Sequence, residues 1–200
     1  MKDFFLLYIC AAFTSFTLAH YIWEYLWTIE KKPEVAIVFQ ETKEVLFAII
    51  EFSCFSYFMF KALKQHSRKL IKLFSVFFSL SVLLFIQKIV IGSSASEIRH
   101  FSFIVSSTEM GLLLIPCLIY LYELLKEKTE ENLFQKPSFW IVSGLFIYSV
   151  IIIPFSLVAD KFVKTNDRII KIGFTMHLIS FSLLFLALIK AFSLKKTLSD

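Results

Sequence analysis

The chain has 200 residues, of which 58% are hydrophobic and 25 are Phe, with a mean hydropathy of +0.74 and a net charge of +5. A soluble domain is usually nearer half apolar, whereas here six apolar stretches of roughly twenty residues fill almost the whole chain, each long enough to cross a bilayer core of about 30 Å as a helix. Only short loops remain, which excludes a separate soluble catalytic or nucleic-acid-binding domain, and the basic excess reads as membrane orientation.

The first predicted helix covers about 4–27. Met1-Lys2 and Thr17-Leu18-Ala19 faintly resemble a cleavable leader, but the apolar run continues past Ala19 to Trp27, so a spanning helix is expected. A loop with Glu30, Lys31, Lys32 and Pro33 leads to the second helix, about 44–63. The polar run from Lys64 to Lys69 separates it from the third, about 70–91, which ends at Gly92-Ser93-Ser94. The fourth covers about 101–125 and the fifth about 138–158, divided by a charged stretch and Pro137; the sixth covers about 169–192. The expected fold is an all-α, polytopic transmembrane bundle of six helices forming one domain over residues 1–200. Pro116 and Pro154 fall inside the fourth and fifth helices, where they remove backbone donors. Cys10, Cys54 and Cys117 lie in apolar segments at unrelated spacings, so no disulfide framework or zinc pattern follows.

The densest basic cluster, Lys61, Lys64, Arg68, Lys69 and Lys72, lies on the same side of the spans as Lys126, Lys128, Lys136 and Lys190. The Lys/Arg rule places that side, and both termini, in the cytoplasm.

Ionisable groups inside a membrane are costly and point to function. Six stand out: His20, Glu24, Glu51, Lys88, Glu109 and His177. With alternating helix directions, His20, Glu24 and Lys88 sit near outer helix ends and Glu51, Glu109 and His177 lie roughly 10–12 Å in at 1.5 Å per residue, so all six fall in one layer of the outer leaflet. Each shares a helical face with small or polar neighbours: Glu44, Ala48, Glu51 and Cys54; Ser102, Ser106 and Glu109; Gly173, His177 and Ser180; Ser81, Leu84 and Lys88; Thr17, His20 and Glu24. Such faces turn toward other helices and away from lipid. The expectation is an outer-leaflet polar pocket for a small ligand or ion. His20, Glu51, Glu109 and His177 are also the candidate ligands for zinc, iron or manganese, since imidazole with carboxylate suits these metals. Lys88 can instead snorkel to the interface, and the carboxylates can simply hold helices together. The Glu97/His100 pair reads as solvated loop.

No nucleophile elbow, zinc-protease helix, phosphate loop or dinucleotide fingerprint is present in the sequence. No catalytic residue is therefore assigned, and an enzyme is the lesser expectation. The segment from Leu46 to Phe58 with its Ile50-Glu51-Phe52 core, then Tyr122-Glu123-Leu124-Leu125, then Pro137-Ser138-Phe139-Trp140-Ile141, resembles small polytopic inner-membrane proteins of Bacteroidota over roughly residues 40–190. The resemblance implies a multi-pass protein of the bacterial cytoplasmic membrane. The leading expectation is a sensor- or channel-like module whose partners are the bilayer and a second copy or a membrane protein, with no direct nucleic-acid binding. The alternatives are an oligomeric pore or membrane effector of a bacterial defence system, and an intramembrane metal-dependent hydrolase.

Overall fold

The computed structural model describes residues 33–65, 67–126, 133–162 and 167–197, together with Ile22 and Tyr25. Nearly all of the expected first helix, including His20 and Glu24, lies outside the described residues. Among the described residues the fold is all-α, with five α-helices: α1 (Pro33–Ala62), α2 (Arg68–Val90), α3 (Ala95–Lys126), α4 (Pro137–Phe162) and α5 (Asp167–Thr197). A 3₁₀ turn, Leu133–Gln135, precedes α4. Four helical segments, Glu34–Ala62, Arg68–Val90, Ala95–Lys126 and Pro137–Pro154, are long and apolar enough to cross a membrane; α5 contributes the shorter apolar stretch Leu178–Leu194.

Two helices start earlier than the apolar pattern suggests, each for a capping reason. α1 opens at Pro33 rather than near residue 44, because proline suits the first helical position, where its missing N–H costs nothing. Glu34 in the first turn and Lys61 in the last complement the helix dipole. α3 opens at Ala95 rather than near residue 101. The Ser94 N–H donates to Glu97 Oε2 at 3.3 Å, and the Glu97 N–H donates to Ser94 Oγ at 3.4 Å. This is a reciprocal capping box, so Glu97 and His100 are helical rather than in a loop. Just before it, α2 ends on Gly92 at φ 69. Gly92 N–H donates to Ile89 O and Ser93 N–H to Lys88 O, both at 3.1 Å. These are the paired bonds of a Schellman ending, which needs a residue in the left-handed region.

The chain divides into two compact units, Met1–Phe58 with Leu73–Glu109, and Met59–Lys72 with Met110–Asp200. In the first unit, Phe52 of α1 stacks on Phe78 of α2 with ring centroids 4.2 Å apart. α2 buries only a narrow stripe there, Phe78, Ser81 and Phe85, while Val76, Phe77, Leu80, Leu83, Leu84 and Ile86 are exposed. A continuous apolar surface of this kind is incompatible with water and suits acyl chains.

In the second unit α4 packs against α5. The approach is close because Gly144 has no side chain: a Cβ built there would lie 2.6 Å from the Ala187 Cβ. Ser180, Leu184, Ala187 and Ala191 form the buried stripe of α5, the small-residue seam expected where helices associate in lipid. The Arg68 Nε donates to Leu63 O at 3.1 Å, and its guanidinium lies 5.4 Å from the Phe60 ring centroid, so it closes the end of α1. At the start of α4, Trp140 Nε1 donates to Phe134 O at 2.9 Å within a cluster formed with Phe139. Such aromatic groups fit the membrane interface.

Candidate functional site

The polar face of α1 continues upstream of Glu51 through Ala48 and Glu44 to Glu41, at helical spacings of three and four. The facing stripe of α3 runs Arg99, Ser102, Ser106 and Glu109. Two contacts within the first unit fix how these faces meet. Arg99 Nε donates to Glu41 Oε1 at 3.0 Å, across a sequence separation of 58, and Ser102 adds a side-chain hydrogen bond to Glu41. Glu51 lies within electrostatic reach of Glu109, at the same separation. Equal offsets at two levels mean that α1 and α3 run in the same direction in a single register. The two levels are ten residues apart, or about 15 Å along the helices.

The upper level is neutralised: Glu41 is buried, and its partner Arg99 reaches outward with 32% of its side chain exposed. The lower level is different. Glu51 and Glu109 are each 1% exposed, and Glu109 Oε1 has no hydrogen-bond partner among the described residues. Two carboxylates this close in apolar surroundings repel, and removing each from water is expensive. A proton or a cation is the kind of group that lowers this cost, as in carboxyl dyads that share a proton. Cys54, one turn below Glu51, is buried as well.

Measured from the helix starts, Glu51 stands about 18 residues into α1 and Glu109 about 14 residues into α3, or roughly 27 and 21 Å. The pair is therefore near the middle of both helices, farther from the helix starts than the shorter expected spans put it. Lys88 is half-buried near the end of α2, with its ammonium 5.1 Å from the Phe101 ring centroid, a cation–π contact. Leu84, expected on the inward stripe with Lys88, is 50% exposed. The backbone of His177 lies in α5; its side chain, like His20 and Glu24, lies outside the described residues.

Among the described residues no three His, Cys, Asp or Glu side chains gather as a metal site. Two carboxylates alone suit a proton or a hard cation better than zinc or iron, which favour added imidazole or thiolate.

Glu41, Arg99 and Ser102 form the part of the site that the apolar pattern misses. Two local features would have found them: Pro33 as a helix opener, and Ser94-x-x-Glu97 as a capping box. Both extend the helices far enough to put Glu41 and Arg99 on the polar faces. The chain matches no protein-family model, no curated protein and no solved structure, so the chemistry of the seam alone carries the functional argument.

Proposed function

We propose that the protein is an integral membrane module that admits a monovalent cation, the proton included, into the seam between α1 and α3, where Glu51 and Glu109 receive it. The observation that carries this reading is the buried Glu109 carboxyl, with one oxygen unpartnered among the described residues and a second carboxyl beside it. An intramembrane carboxyl in this state marks an ion or proton path. Glu41 and Arg99 form a charge-compensated threshold about 15 Å from the pair. On this reading the protein belongs in a bacterial cytoplasmic membrane with its Lys-rich helix ends facing inward. The Lys/Arg asymmetry and the resemblance to small inner-membrane proteins of Bacteroidota support that placement.

Purified protein in liposomes carrying a pH-sensitive dye and a K⁺ or Na⁺ gradient tests the reading. Wild-type protein is expected to dissipate a gradient of one of the three cations, and Glu109→Gln to slow this at least tenfold, about 1.4 kcal/mol of lost stabilisation. Glu51→Gln behaves likewise, and the double variant is little worse than either single one because the two groups act as a unit. Equal flux in the double variant, or no flux in the wild type, sinks the reading.

A further inference from the structure

The second unit holds a separate site at the Lys-rich ends of its helices. A cavity of about 770 Å³ is lined by Lys64, Ser67, Leu118, Ile119, Tyr122, Glu123 and Lys126. Its size falls in the roughly 300–1,000 Å³ range of ligand pockets. The lining divides sharply by chemistry. Lys64, in the turn after α1, and Lys126, at the end of α3, supply two ammonium groups to the lining. Leu118, Ile119 and Tyr122 continue one to two turns along α3 toward the apolar body of the helix. Leu118 and Tyr122 are 49% and 65% exposed, so this wall is open to acyl chains. Glu123, the single carboxylate among the described lining residues, accepts a hydrogen bond from the buried Ser67 hydroxyl at 2.9 Å, which fixes its position. Two lysines and one hydrogen-bonded carboxylate next to an apolar stretch of α3 match an amphiphile with a negative head and a hydrocarbon tail.

We propose that this cavity is a binding site for an anionic glycerophospholipid, with Lys64 and Lys126 on the phosphate and the α3 ramp along the first methylenes of a chain. The ramp distinguishes this occupant from free phosphate, which would use the lysines alone. Basic pockets beside spanning helices bind anionic headgroups, and each lysine adds to the attraction. The site is independent of the carboxylate pair.

Native mass spectrometry of delipidated protein titrated with phosphatidylglycerol or phosphatidylcholine tests it. Wild-type protein is expected to prefer phosphatidylglycerol about thirtyfold, as two lysines imply, and Lys64→Gln/Lys126→Gln to fall close to parity. Lys61→Gln/Lys69→Gln removes the same charge from exposed positions that do not line the cavity and should keep the preference. Leu118→Trp fills the ramp without changing charge and should weaken phosphatidylglycerol at least fivefold. The proposal is overturned by equal binding of the two lipids to wild type, by equal losses in the two lysine variants, or by an unaffected Leu118→Trp. Displacement of the lipid by equimolar inorganic phosphate also overturns it, because the head alone would then account for binding.

Discussion

At the scale of single residues, the seam contrasts a satisfied charge with an unsatisfied one. Glu41 has a guanidinium and a hydroxyl; Glu109 has an oxygen with no partner among the described residues. Removing Arg99 strands Glu41 in a nearly dry place. Arg99→Gln should therefore cost about 2 kcal/mol, below the 3–5 of a fully buried pair because Arg99 reaches solvent. The double variant Glu41→Gln/Arg99→Gln should recover at least half of that loss, since no orphaned charge remains. Thermal unfolding in detergent micelles measures both, and additive losses would show that the pair is not energetically linked. At the lower level, Glu109→Gln removes a charge that the fold must otherwise neutralise, so that variant should unfold no earlier than wild type even as cation flux falls.

At the scale of elements, helix ends and helix contacts are set by small groups. Ser94→Ala breaks the capping box and should cost about 1 kcal/mol, read as faster amide hydrogen exchange in the first turn of α3. Because Arg99 sits just beyond that turn, the same change should loosen its contact with Glu41. Gly144 is a tighter constraint. An added methyl would meet the Ala187 Cβ at 2.6 Å, and neither atom can move without its backbone. Gly144→Ala should push α4 from α5 at a cost of about 1–3 kcal/mol. Ala187→Gly in that background should restore most of it, a rescue that generic damage to α4 would not show.

At the scale of the whole molecule, the question is which surfaces meet lipid and which ends share a side. α2 exposes a belt of large apolar side chains and carries few charges between its ends, so the turns at its two ends should lie on opposite sides of the membrane. In a Cys10→Ser background, Gln65→Cys and Ser93→Cys should label with a membrane-impermeant maleimide from opposite faces of sealed vesicles. Cys54 and Cys117 are buried and should stay silent in both. Labelling of both new cysteines from one face would mean that α2 does not cross.

The apolar length of each segment and the 3.6-residue rhythm of Ala48, Glu51 and Cys54, or Ser102 and Glu109, are local properties. They sufficed to give an all-α class, spans long enough for a bilayer, and polar faces turned inward. The boundaries at Pro33 and Ser94 were also written locally, in capping chemistry rather than hydropathy. What no stretch of sequence contains is the offset of 58 that sets α1 beside α3. That register depends on how far each helix extends and how it is rotated against a helix many residues away. Only the tertiary structure therefore decided that Glu41 is answered by Arg99, while Glu109 is buried beside Glu51 with one oxygen unpartnered among the described residues.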